Sequence, residues 1–438
     1  MLLCSLTWIF WSIFMSLVIT RISNKLNSIV IVSSLILASS QAIAGAFALH
    51  EQSITYLGTA YAGTASTAED ASSVYYNPAA LSELENAQAV LSAAYFKART
   101  ELYNATARTN AGIAVQANPT TYPASNAVIP GLHLGARINK DWAIGFGVNA
   151  PFGLNTRYSN TSIARYMGTI SKLESLNLTP GFSYRVNNKF SIGAGFDAMH
   201  LKANISSAVN ATGTEGYSNN YGSGWTYGYH IGVFYKPSAD TKMGLVYYSI
   251  FNPRVSGHVD AAAYPPTTPI PTTLTSDMKL PDRLVYSITH QYNYNWSAMG
   301  EVEWTHWSRL SELRINYNTG RSATELLYYK NAFRFAFGVN YKLNDPWLFK
   351  AGAAFDQTPV NAPYRTARLP DSNRTWLALG VKYKMNKNIW FDVGYAHLFF
   401  NKCTIQQVGV APDNRKTLSG NYKNSADLVG VQLTWNFV

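Results

Sequence analysis

Large apolar residues recur at every second position through most of this chain. In Trp142-Ala143-Ile144-Gly145-Phe146-Gly147-Val148 they alternate with Ala and Gly. Tyr227, Tyr229, Ile231, Val233 and Tyr235 alternate with Gly228, His230, Gly232 and Phe234. Phe333, Phe335, Phe337, Val339 and Tyr341 alternate with Arg334, Ala336, Gly338 and Asn340, and the runs Leu377–Tyr383 and Phe391–Tyr395 repeat the pattern. A period of two predicts strands with one apolar face, from about residue 88 to the end. A soluble sandwich would also alternate. The aromatic loading of the apolar face and the near absence of charge on it favour an all-β transmembrane antiparallel barrel.

Short turn signals separate many of these runs: Val186-Asn187-Asn188-Lys189, Leu343-Asn344-Asp345-Pro346 and Met385-Asn386-Lys387-Asn388. Longer polar stretches at 104–127, 203–224 and 261–273 are expected as extracellular loops. At roughly 25 residues per strand with its share of turn and loop, the alternating region holds about 14 strands. The final run, Val429, Val431, Leu433, Trp435 and Phe437, alternates to the end of the chain. Such an aromatic-ended terminal strand suits recognition by the barrel-assembly machinery, an expected partner during biogenesis.

Composition agrees. Charged residues make up 13% and aromatics 14% of the 438 residues, and the charged share is about half that of an average soluble protein. Mean hydropathy is −0.08, too low for a polytopic helical membrane protein. Net charge is +11, with Arg21 and Lys25 the only charges before residue 45. Lys and Arg are scattered, so nucleic acid is not an expected partner. An acidic ligand, or outer-membrane lipid and lipopolysaccharide, suits the positive balance better. Cys4 and Cys403 are the only cysteines.

The first 44 residues carry two apolar stretches, Leu2–Thr20 and Ser28–Ser40. The second follows Arg21 and Lys25 and ends in Ala42-Ile43-Ala44, the layout of a secretory signal cleaved after Ala44. A start at Met15 gives a signal of about thirty residues, the usual length. With Cys4 removed, no intramolecular disulfide is expected.

Between the signal and the strands lies a segment of different character. Ser72–Leu84 reads SSVYYNPAALSEL, two tyrosines and an Asn77-Pro78-Ala79 turn running into a helical pattern. The region Gly45–Leu84 resembles the N-terminal hatch of the outer-membrane long-chain fatty-acid transporter family, the FadL/TodX group. Glu51, Ser53, Leu57–Gly63, Ala68–Ala71 and Asn77–Ala79 carry the resemblance. NAPFGLNTRY (149–158), LPDRL (280–284), WTHWSRL (304–310) and the long block 355–383 extend it over nearly all of the mature chain. His306 stands where a small residue is expected.

The resemblance implies a hatch over 45–86 folded inside a barrel over 87–438. A lumen of about fourteen strands is too wide for its own side chains to fill and leaks unless plugged. It further implies passive transport of hydrophobic ligands: capture in the extracellular loops, binding in the lumen, and release through a kinked strand into the bilayer. Long-chain fatty acids are the first expectation and aromatic hydrocarbons the alternative. Lys330 and Lys202 match family positions linked to carboxylate binding. Lys330 lies opposite Phe333 and Phe335 in register, hence toward the lumen. Lys202 shares the register of Phe196 and faces inward only past a β-bulge; a place beyond the bilayer edge would also reconcile it with the family. No cofactor is expected, and the barrel is expected to act as a monomer. An outer-membrane hydrolase or general porin is less well supported: there is no G-x-S-x-G, and the eight histidines form no metal-ligand spacing.

Overall fold

The computed structural model describes residues 46–210, 215–262, 269–410 and 415–437. The expected signal over 1–44 and its cleavage site lie outside them. The strands make one closed antiparallel wall. Its first strand, Ala87–Arg108, pairs on one side with Ala124–Arg137 and on the other with the last, Thr417–Phe437, from Ala87↔Phe437 to Arg108↔Thr417. Followed round through its partners, the wall has 14 strands. Its outer face carries the alternating aromatics: Tyr227, Phe335, Leu379 and Val431 are all exposed.

The short turns fall as expected, with Val186 N–H donating to Phe190 O (3.0 Å), Leu343 to Trp347 (3.0 Å) and Met385 to Ile389 (3.0 Å). One expected loop, 203–224, is largely wall instead, while 104–127 is mostly the expected connection. Phe190–Val209 and Gly216–Tyr235 pair without a register break up to Val209↔Gly216. Most of 203–224 is therefore strand, whereas 109–123 of the stretch 104–127 joins strands. The first and last strands run 22 and 21 residues, about twice what a tilted strand needs to span a bilayer. Wall that projects beyond the membrane meets water on its outer face, so its sequence turns polar while remaining strand.

Several wall strands are interrupted. The chain leaves the ladder between Asn149 and Gly153, Tyr248 and Arg254, Asp277 and Arg283, Thr305 and Glu312, and Leu326 and Ala332. Pro151, Pro253 and Pro281 sit in three of these breaks, where the missing N–H cannot serve a ladder. The breaks turn Phe152, Phe251, Trp307 and Tyr329 into the buried interior.

Residues 46–86 contribute no wall strand and are bonded to inward wall positions. Gln432, buried between exposed Val431 and Leu433, accepts from Ser53 Oγ (2.8 Å) and Ile54 N (2.9 Å). Glu301 accepts from Thr64 N and Oγ1, both at 2.7 Å. Asn77 Oδ1 accepts from Ala79 N (3.1 Å), while its amide donates to Ala65 O (2.7 Å) and Val233 O (3.0 Å). Pro78 opens the short 3-10 turn Pro78–Glu83, where a missing N–H costs nothing. The Asn77-Pro78-Ala79 motif thus joins two parts of the segment to the wall.

Candidate ligand cavity and family relationships

The strand breaks border a cavity of about 850 Å³, counted up to its open side. Leu154 and Leu173, Val255, Leu274 and Ile315 come from the wall, Leu327 from a break, Leu369 from the connection 357–373, and Phe47 from the inner segment. Each is placed by its element: strands turn alternate residues inward, and the breaks and connections fold over the open end.

Two charged residues line this mainly apolar space, Arg368 and Glu325. Arg368 Nη1 donates to Ile170 O (3.1 Å), Ser171 Oγ (3.0 Å) and Ser206 O (3.1 Å). Its Nε lies 3.2 Å from Glu325 Oε2, and Gln407 donates to the other Glu325 oxygen at 2.7 Å. The guanidinium is thus held at Nη1 by three acceptors and at Nε by one carboxylate. Charged hydrogen bonds of this kind contribute about 1.5–3 kcal/mol each.

A second space of about 450 Å³ adjoins the breaks at Pro151 and Pro281. Arg283 lies in its wall with the guanidinium 3.8 Å from the Tyr248 ring centre. Phe47, on the wall of the larger cavity, has its ring 6.0 Å from that of Phe152, on the wall of the smaller one. Phe47 also packs edge-on against Trp307 at 4.9 Å, and Ala46 N donates to Asp371 Oδ2 at 3.2 Å.

The two expected lysines stand apart from both spaces. Lys330 is exposed, in the break before Ala332–Lys342, and lines neither cavity. Alternation does not carry across 327–331, because these residues are not strand and both Leu327 and Tyr329 are buried. The parity that placed Lys330 toward the lumen therefore does not apply to it. Lys202 is also exposed, and the unbroken pairing of its strand from Phe190 to Val209 leaves no bulge to turn it inward. Arg368 went unnoticed because it sits in a connection, where no period marks an inward residue. Among the described residues no group of three or more His, Cys, Asp or Glu side chains could hold a metal ion.

A closed wall of this strand number with an apolar cavity behind its breaks matches a known group throughout its length. The family model for outer membrane protein transport proteins (OMPP1/FadL/TodX) matches residues 35–437. The chain belongs to this family. Outer membrane protein P1 of Haemophilus influenzae is 30% identical over 94% of the chain and 100% of the relative. A long-chain fatty acid transport protein of Escherichia coli strain K12 is 28% identical over 83% of the chain and 89% of the relative. Among solved structures, a Pseudomonas aeruginosa FadL homologue superposes with a TM-score of 0.84 at 21% identity, covering 90% of this chain and all of that one. The Pseudomonas putida toluene transporter TodX gives 0.67 at 16% identity, covering 90% and 99%. The protein is an outer-membrane transporter of hydrophobic compounds.

Proposed function

We propose that the transported compounds are long-chain fatty acids, held with the chain along the apolar cavity wall and the carboxylate at Arg368. The single observation that carries this is a fixed guanidinium in a cavity whose lining is mainly apolar. Each methylene moved from water to such a wall contributes about 0.8 kcal/mol, so the chain supplies affinity. A carboxylate entering hydrocarbon unpaired would cost several kcal/mol, so the cation supplies tolerance of the headgroup. Glu325 already faces Arg368; an incoming carboxylate would displace it toward Gln407 or share the guanidinium with it. The fatty-acid transporters among the relatives support the same reading. Residues 46–86 serve as the hatch in this proposal, and Phe47 gives the ligand a way to move it, since it lines the cavity from the hatch side. Release follows sideways, through the wall where Pro151 interrupts it.

Transport of neutral aromatic hydrocarbons is the second reading. It is favoured by the Arg368–Glu325 pair, which leaves no net charge in the cavity. Binding of oleate, oleyl alcohol and ethylbenzene to the purified barrel separates the two. The double variant R368Q/E325Q, which strands no lone charge, should bind oleate about ten- to a hundredfold more weakly, the loss of one charged hydrogen bond. Oleyl alcohol should bind it as before. Equal loss of all ligands would mean that the cavity has collapsed. Unchanged oleate binding would remove the carboxylate role and leave the hydrocarbon reading.

A further inference from the structure

The outer face of the wall carries a second, separate arrangement of charge. Of five neighbouring strands near the end with the long connections, four carry Lys97, Arg99, Arg157, Lys172 and Lys202 in a narrow band. The ladder fixes this: Lys97 pairs with Asn126 and Arg99 with Ala124, Ala124 with Arg157, Asn155 with Lys172, and Glu174 with Lys202. Their inward neighbours Phe96, Thr156, Leu173 and Leu201 are buried, so all five side chains stand on the outer face. Five strands at about 4.8 Å spacing make a strip roughly 20 Å wide.

Only part of this charge is matched. Arg99 meets Asp427 and Lys172 meets Glu174 at 2.8 Å, while among the described residues Lys97, Arg157 and Lys202 have no acidic side chain within ion-pair distance. Some exposed cations elsewhere at this end are paired, Arg254 with Asp277 at 3.9 Å and Arg314 with Glu312 at 3.0 Å. Among the described residues the unpaired ones there, such as Arg321 and Lys402, do not line up across neighbouring strands as these three do. Toward the bilayer the outward positions become apolar, with exposed Tyr95 one step from Lys97 and exposed Leu176 two steps from Lys172. The strip therefore sits where hydrocarbon gives way to headgroups. Outward cations there cannot serve the lumen, and they would be costly if they faced acyl chains.

We propose that this strip docks a membrane lipid whose headgroup carries phosphate groups, with its acyl chains lying along Tyr95, Leu176 and the aromatic surface below. Charge complementarity selects phosphate: a strip of unpaired lysine and arginine beside an apolar wall offers donors to the headgroup and contact to the chains. Each cation near a charged lipid surface contributes roughly a factor of five in affinity.

The test uses the purified full-length barrel in nonionic detergent, titrated with bisphosphorylated lipid A and read by native mass spectrometry. Replacing the three unpaired cations, K97Q/R157Q/K202Q, should weaken lipid A binding about a hundredfold. Oleate binding and heat-modifiable migration should be unchanged, which shows that the barrel is intact. K140Q/K189Q/K387Q removes the same charge from the opposite end and should leave lipid A binding as it was. Enzymatically dephosphorylated lipid A should bind the unaltered protein about as weakly as the bisphosphorylated form binds the strip variant. Equal losses in the two triple variants would reduce the effect to overall charge and overturn the proposal. So would tight binding of the dephosphorylated lipid, or competition by inorganic phosphate as effective as that by lipid A.

Discussion

Gly244 and Gly193 show how closely the inner segment lies against the wall. Both are inward positions, and a Cβ on either would overlap backbone of the segment: the carbonyl of Ala65 for Gly244 and the amide of Ala79 for Gly193. Only glycine lets two backbones approach so near. In sequence these glycines read merely as the small face of an alternating strand, because the partner they make room for comes from far along the chain. Gly244→Ala should therefore push residues near Ala65 off the wall and raise the conductance of the purified barrel in planar bilayers. Gly300→Ala is the comparison, since its nearest neighbour would lie 3.9 Å away, and it should leave conductance unchanged. Equal behaviour of the two would mean that the segment does not seal the pore at this contact. The residue scale is also where sequence reading was weakest. Lys330 shares its parity with inward Arg334, but parity has meaning only inside a continuous strand, and Arg368 lies in a segment with no period at all.

At the scale of elements, alternation found nearly every wall strand, because inward and outward sides face such different surroundings. It did not find where strands leave the bilayer, since Ser, Asn and Gly in 203–224 read as loop although the ladder continues. Nor did it find the breaks; Pro151, Pro253 and Pro281 are visible in the sequence, but each could equally begin a turn. The inner segment stood out by contrast, as the one stretch between the signal and the wall without a period of two. Because it supplies no strand, deleting residues 46–86 should leave a barrel that still closes, since the first and last wall strands pair with each other along Ala87–Arg108. The shortened protein should fold, as judged by heat-modifiable migration on gels, and pass small solutes that the full chain excludes. Conductance equal to that of the full chain would show that the loops do the sealing.

Across the whole molecule, charge ties the inner segment to the wall. Glu69 Oε2 meets Lys350 Nζ at 2.9 Å and Lys382 Nζ at 2.6 Å, and Lys350 also donates to Thr55 O at 2.7 Å. Burial alone would push the Glu69 carboxyl up, but the two ammonium groups outweigh it and hold it down at about 2. Glu51, also buried, has no hydrogen-bond partner on either carboxylate oxygen. Burial raises it to about 7, against a smaller opposing pull from nearby backbone N–H groups, its own first, and from Arg374 and Arg334. A released segment would bring both groups back to the ordinary value of 4.5. The two then work in opposite directions. Glu69 favours the docked segment above pH 4.5, and that contribution is lost as pH falls toward about 2. Glu51 favours it below pH 4.5, and its contribution is lost as pH rises toward about 7. Docking should therefore be tightest near pH 4.5, where planar-bilayer conductance reaches its minimum. Between that pH and 7 the conductance should rise in the unaltered protein and rise distinctly less in Glu51→Gln, which cannot ionise. Glu69→Gln should instead raise conductance at neutral pH, by leaving two buried lysines with only the more distant carboxylate of Asp392 between them. If the unaltered protein and Glu51→Gln follow the same curve through pH 7, Glu51 does not govern the docked state, and the upper limb belongs to another group.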